Sequence, residues 1–188
     1  MGKYGALDFV RERLGSEINL EGKNKYQRIG KYEFAIMYSR MVPLAVESGI
    51  LTGLTGEDWF YEYSLENPKT KLRIVERLPF GRAKVVAFKD NNIRNWCSSP
   101  LACVTIYPNI AAKYLQRDYP PTYIISVPGE TESWVKAGLA RLGIDNKNSG
   151  QTIDETNLKV IDEIFDSAAV IISKERDIDK VKEIWGLK

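Results

Sequence analysis

A chain of 188 residues, 44% apolar and 28% charged, is long enough to bury a core as one large domain or two small lobes, and it reads as a soluble globular protein. Its 27 basic and 25 acidic residues leave a net charge of +2 with no long block of like charge, so nucleic-acid and membrane binding gain little support, while a local basic pocket stays open. With no histidine, and with Cys97 and Cys103 as its only cysteines, the chain cannot build a disulfide framework, and zinc enzymes and Ser-His-Asp hydrolases drop out.

The opening "MGKYGALDFV" has no apolar signal-peptide run, and no window approaches the ~18 apolar residues of a membrane span, so a cytoplasmic protein is expected. "ALDFVRERLG" places Leu7, Val10 and Leu14 on one face of a helix that stops at Gly15, and "FAIMYS" (34–39) reads as a buried strand. A helix over 43–48 starts near Pro43 and is capped by Gly49. A short strand in "ILTGLTG" and a helix in "EDWFYEYSL" follow. "KLRIVERL" and "RAKVVAF" are strands whose separating "PFG" turn suggests a hairpin.

The unpatterned 89–100 segment, "KDNNIRNWCSSP", reads as a linker. "LACVTI", "YPNIAAKYLQRDY" and "TYIISVPG" then read as strand, helix and strand, with Pro120 and Pro121 closing the helix. This alternation argues for an α/β layer with a parallel sheet. A helix in "TESWVKAGL", a short strand in "LARLGI", a polar loop at 144–154, a helix from near Gln151, the apolar runs "LKVIDEIF" and "AAVIIS", and a polar C-terminal helix "DIDKVKEIWGL" complete the chain.

The loop "IDNKNSGQTID" carries the chemistry. A glycine-containing turn running into a helix points several backbone N–H groups at one spot, which suits a phosphate. Gly150 admits close approach, Ser149 and Thr152 add hydroxyls, and Asp145 can accept from ribose hydroxyls. A helix cap by Ser149 or Thr152 and a turn closed by Asp145 account for the same residues. Asp58 and Glu62, spaced i, i+4, fit either a solvated helix face or a ligand-facing pair.

The loop does not stand alone. "VESGILTGLTGEDWFYE", "LPFGRAKVVA", "VTIYPNIAAKYL" and "PGETESWVKAGLARLGIDNKNSGQTIDETNL", in this order, resemble the catalytic part of the ATP phosphoribosyltransferases. Gly129, Glu132, Gly138, Asp145, Gly150, Thr152 and Asn157 fall at matching positions of the segment that carries that family's phosphoribosyl pyrophosphate (PRPP) loop. Gly49, Thr55, Gly56, Asp58, Glu62, Gly81 and Arg82 match upstream.

The resemblance implies two α/β lobes of the type II periplasmic-binding-protein kind, the second inserted in the first, with lobe I at 1–92 and 165–188 and lobe II at 93–164. It implies an enzyme that joins ATP and PRPP to give phosphoribosyl-ATP and pyrophosphate, the first step of histidine biosynthesis. Asp145, Asn148, Ser149, Gly150, Gln151 and Thr152 would hold PRPP with support from Glu132; Arg82, Asp58, Glu62 and Lys3 would serve catalysis. Mg²⁺ would bridge pyrophosphate oxygens. The partners implied are a second copy, as a dimer or larger, and a separate regulatory subunit.

Three positions depart from the family pattern. The chain opens at "MGKYGALDF", so the family's first strand is expected to be missing and Gly2 and Lys3 align with the end of its Lys-Gly-Arg loop. Arg141 stands where the family has an acidic residue, and Ala102 where it has an arginine. These departures keep open a catalytically impaired paralogue or regulatory module that binds a phosphorylated ligand in the same cleft; a solute-binding protein of the same fold is a more distant option.

Overall fold

The structure, a computed structural model, describes residues 5–20, 25–91, 101–118, 122–148 and 158–187. The chain divides into two compact units, Met1–Tyr63 with Asn67–Gly81 and Ala168–Lys188, and Ser64–Glu66 with Arg82–Ser167. The second is therefore inserted in the chain of the first. The exchange points lie at 81/82 and 167/168, where 92/93 and 164/165 were expected, because the strands flanking them pair within the second unit.

In the first unit, α1 (Ala6–Leu14) begins where the Asp8 carboxylate accepts from the Gly5 N–H at 3.1 Å and ends at Gly15. A hairpin of β1 (Tyr26–Ile29) and β2 (Tyr32–Ala35) turns through Gly30, at φ 57°. The buried strand expected at 34–39 is thus corrected: pairing ends near Ala35, and Ile36, Met37 and Tyr38 are exposed. An apolar run reads as buried in sequence, but here its side chains stay partly open, from 38% exposure at Ile36 to 79% at Tyr38.

A 3₁₀ turn leads into α2 (Val42–Ser48), with Pro43 in its first turn. Then come β3 (Thr52–Gly56), α3 (Glu57–Glu66) and β4 (Leu72–Arg77), and after the second unit β10 (Ala169–Lys174) and α6 (Ile178–Trp185). The sheet order is β3–β10–β4, with β10 antiparallel to both neighbours. Central β10 is apolar on both faces, as a covered strand requires. Val170 and Ile172 pack with Val42, Val46 and Leu72, and Ile171 packs with Phe9, Leu78, Val181 and Trp185.

The second unit holds a five-stranded sheet. Its strands are β5 (Ala83–Asp90), β6 (Leu101–Thr105), β7 (Thr122–Ser126), β8 (Leu142–Asn148) and β9 (Leu158–Ser167); its helices are α4 (Pro108–Asp118) and α5 (Thr131–Lys136). β6 runs parallel to β7 and β8, as the alternation of elements predicts, while β5 is antiparallel to β8 and β9.

The expected hairpin between "KLRIVERL" and "RAKVVAF" does not form. β4 pairs with β10, and β5 lies between β8 and β9. Val85, Val86, Ala87 and Phe88 are buried on both faces of β5, which demands a central strand in a covered sheet rather than one arm of an exposed ribbon. Gly81, at φ 64°, makes the turn that passes the chain on, and a Cβ there would lie 3.1 Å from the Cβ of Ala169.

Side chains alternate across this sheet. Val86, Phe88, Val104 and Leu158 share one face with Val135 and Ala140. The register puts Gly143 and Asp145 on that same face, opposite Phe88 and Val86. β8 begins at Leu142 and continues through Asn148, so the expected strand "LARLGI" is displaced: Asp145 and Asn148 belong to the strand, not to the loop. Of the linker expected at 89–100, residues 89 and 90 end β5, and 92–100 lie outside the described residues.

A candidate phosphoribosyl site on the inserted unit

Asp145 is the organising residue of the second unit's candidate site. The residue is 8% exposed, a costly position for a charge unless donors meet it. Two do. The Thr131 hydroxyl donates to Oδ2 at 2.6 Å, and the Asn146 backbone N–H donates to Oδ1 at 2.7 Å. The Asn146 side-chain amide in turn donates to the Tyr107 hydroxyl at 3.0 Å, and the Tyr107 N–H donates to Thr105 Oγ1 at 2.8 Å. Tyr107 is fully buried just before α4, so the network ties β8 to two other parts of the unit.

Glu132 follows Thr131 in the first turn of α5 and is half-buried, with its Oε2 3.4 Å from Thr131 Oγ1. A hydroxyl has one proton, and the shorter contact takes it, so the proton points to Asp145. Glu130 enters α5 in the left-handed conformation at φ 59°, a sparse region for a non-glycine residue. Thr131, Asn146 and Tyr107 were not singled out by sequence reasoning as site residues. Tyr107 lies inside the "YPN" segment that carried the family resemblance, but nothing local announces that Thr131 meets a carboxylate fourteen positions away.

In the first unit, Asp58 and Glu62 lie one turn apart on α3 and are both buried, at 3% and 6% exposure. That removes the solvated-face reading of the pair. Asp58 folds back toward Gly56, where an added Cβ would meet its Oδ1, the movable end of the side chain. The Thr55 hydroxyl donates to the Ser39 carbonyl at 2.8 Å and holds that junction. Arg82 is exposed immediately after the Gly81 turn.

Lys3, Ser149, Gly150, Gln151 and Thr152 lie outside the described residues, as does the Asn148 side chain; the Asn148 backbone pairs with Ala83. Cys103 is buried in β6, and burial pushes its thiol up to about 12, so it offers no nucleophile near neutral pH.

A family model for the ATP phosphoribosyltransferases (HisG) matches residues 39–186, most of the chain. The chain belongs to the ATP phosphoribosyltransferase family. The ATP phosphoribosyltransferase of Methanocaldococcus jannaschii is 29% identical over 181 residues, covering 92% of this chain and 62% of that protein. The chain thus spans about three fifths of that relative's length. The ATP phosphoribosyl transferase (HisG:HisZ) complex from Thermotoga maritima contains a chain that matches with a TM-score of 0.77 at 20% identity, over 94% of this chain and 85% of that one. The zinc-bound ligand-binding component of an ABC-type import system from Staphylococcus aureus matches with a TM-score of 0.56 at 12% identity, over 95% of this chain and 64% of that one.

These two likenesses are of fold, and they give this member of the ATP phosphoribosyltransferase family the α/β, periplasmic-binding-protein-like architecture that the motifs implied. Asp58, Glu62, Arg82, Glu132 and Asp145 all fall inside the matched span, and Lys3 falls outside it. Two positions that depart from the family pattern turn out to be neighbours: the Arg141 N–H donates to the Ala102 carbonyl at 3.1 Å. Among the described residues, no helix is long and apolar enough to cross a membrane.

Proposed function

We propose that this chain joins ATP and PRPP to give phosphoribosyl-ATP and pyrophosphate, the first step of histidine biosynthesis, and does so in the cytoplasm. The observation that carries the reading is Asp145: a buried carboxylate, held by two donors, at the position that matches the family's ribose-binding acid. In the reaction, N1 of the adenine attacks C1 of PRPP as the bond from C1 to the pyrophosphate oxygen breaks. Positive charge builds on the ribose while a highly charged group leaves, so rate comes from positioning and electrostatics.

Asp145 accepts hydrogen bonds from the ribose hydroxyls and sets the sugar's orientation, with Glu132 supporting that end of the site. Asn148, Ser149, Gly150, Gln151 and Thr152 hold the 5′-phosphate. Arg82 and Lys3 meet the leaving pyrophosphate as counter-charges, and Asp58 and Glu62 serve the nucleotide. Among the described residues no group of three or more Asp, Glu, Cys or His side chains gathers to hold a metal. On this reading Mg²⁺ would enter with the substrate and offset the charge of its pyrophosphate.

The active form is a homo-oligomer, dimer or larger, with a separate regulatory subunit as a further partner. The exposed apolar run Ile36, Met37, Tyr38, Met41 and Leu44 supports an assembled state, since such a patch is unusual on a free monomer.

Calorimetric titration with PRPP and ATP in Mg²⁺ buffer, beside a pyrophosphate-release assay, tests the function. Turnover is expected, and Asp145→Asn should lower kcat/KM for PRPP at least about tenfold, the value of one hydrogen bond to a charged group. Tight PRPP binding without pyrophosphate release would replace the enzyme with a regulatory or impaired paralogue, the second reading that Arg141 and Ala102 keep alive.

A further inference from the structure

We infer that Thr131 is a positioning residue for the phosphoribosyl donor: its hydroxyl fixes the rotamer of Asp145, so that the carboxylate is aimed before the ribose arrives. This inference rests on the reading of Asp145 as the ribose-binding acid.

The argument starts from an apparent misfit in β8. The residues leading up to Asp145 are Leu142, Gly143 and Ile144, all buried, and an apolar residue at 145 would continue that core. A carboxylate there is retained at a cost in desolvation, so its placement serves something other than packing. A buried acid that must bind a ligand also has to be held still, because a free carboxylate has two soft torsions and would lose orientation entropy when it bound.

Thr131 supplies the restraint. It is the first residue of α5 and is fully buried, and its branched Cβ restricts χ1 to few rotamers. Its 2.6 Å bond to Oδ2 is short, as charge-assisted hydroxyl–carboxylate bonds are. The Asn146 N–H takes the other oxygen at 2.7 Å, so the two donors pin the two ends of one planar group. One donor comes from the neighbouring strand residue and one from a separate helix, and a rotation of the carboxylate breaks both bonds.

Two substitutions separate the hydroxyl from the shape of the side chain. Thr131→Val keeps the branched outline and deletes the donor; Thr131→Ser keeps the donor and deletes the methyl group. If the hydroxyl positions Asp145, Thr131→Val raises KM for PRPP so that kcat/KM falls about 10- to 100-fold, while KM for ATP stays within about twofold, and Thr131→Ser stays within about threefold of the wild type. A role in packing predicts the reverse order, with Thr131→Ser the more damaged.

Steady-state kinetics with each substrate varied in turn, together with PRPP titration calorimetry and melting curves for each variant, read the result. Thr131→Ala is the second donor-deleting variant. An active wild type with Thr131→Val unchanged, with Thr131→Ser equally impaired, or with both donor-deleting variants unfolded would overturn the inference alone. A wild type that neither binds PRPP nor releases pyrophosphate would overturn the functional reading, and this inference with it.

Discussion

Gly143→Ala tests the packing that places Asp145. Gly143 lies two residues before Asp145 on the same face of β8 and opposite Phe88 of β5. A Cβ built on Gly143 would overlap Cζ and Cε2 of the Phe88 ring, with even the Cε1 atom only 2.9 Å away, where ordinary contact begins near 3.4 Å. The ring cannot swing aside cheaply. Phe88 is fully buried and shares its cluster with Val86, Val104, Val127, Val135 and Leu158.

Overpacking a closed core costs about 1–3 kcal/mol, and because the collision is with a ring rather than the end of a flexible chain, we expect about 3 kcal/mol. For a domain of this unit's size each kcal/mol lowers Tm by about 4–8 °C, so the loss should be roughly 12–24 °C. Thermal and urea unfolding of Gly143→Ala, Phe88→Leu and the double variant measure it. Leucine vacates part of the ring's volume, so the double variant should be less destabilised than the sum of the singles by about 1–2 kcal/mol. A Gly143→Ala protein that melts within a degree of the wild type, or strict additivity in the cycle, would refute the reasoning.

Other consequences follow from single positions. Gly81→Ala should cost about 1–2 kcal/mol in urea unfolding, because φ 64° is left-handed and Ala169 crowds the Cβ; an unchanged midpoint would place the turn's freedom elsewhere. The Cys103 thiol, held near 12 against an ordinary 9.0, stays neutral in the fold while the unfolded chain ionises. Its contribution to stability is therefore full below pH 9 and is lost between pH 9 and 12, by about 2 kcal/mol at pH 10.5 and about 4 at pH 12. The difference in stability between wild type and Cys103→Ala should shrink accordingly above pH 9, and a pH-independent difference would contradict it. Ala102→Arg alone sets a second cation beside Arg141, and adding Arg141→Asp should recover at least about 1 kcal/mol in a double-mutant cycle of urea unfolding; strict additivity would make the two departures independent.

The helices and most strands were legible because their signals are local. Pro43 and Gly49 bound α2, Gly15 ends α1, and the apolar runs of β5 and β10 are long enough to demand burial on both faces. Pairing was not legible, because it depends on partners far away in sequence. The "PFG" turn has the composition of a hairpin, yet Gly81 hands the chain from β4 to a strand that pairs with β8 and β9. The hairpin that does form, at Gly30-Lys31, was missed because "YQRIGKYEFA" lacks a strong apolar face and was masked by the run that follows it. Composition cannot distinguish exposed Ile36, Met37 and Tyr38 from a core strand. At the site, Asp145 was found through its motif, whereas Thr131 needed the register of β8 and the docking of α5.

The structure also changes the weight of the departures from the family pattern. In sequence, Ala102 and Arg141 look like two separate losses, an arginine missing from one segment and an acid replaced in another. In the fold they adjoin, with the Arg141 N–H on the Ala102 carbonyl. An arginine at 102 beside an acid at 141 would be complementary; an alanine at 102 beside an arginine at 141 keeps a guanidinium in the same neighbourhood on the opposite member of the pair. Had Ala102 alone changed, the neighbourhood would lose its cation, and had Arg141 alone changed, it would hold two. Only the joint change avoids both outcomes, which is the pattern of one compensated substitution. Two independent losses would favour an impaired paralogue; a coupled exchange that keeps a guanidinium in the neighbourhood, while giving up the acid, favours a site still held to a function.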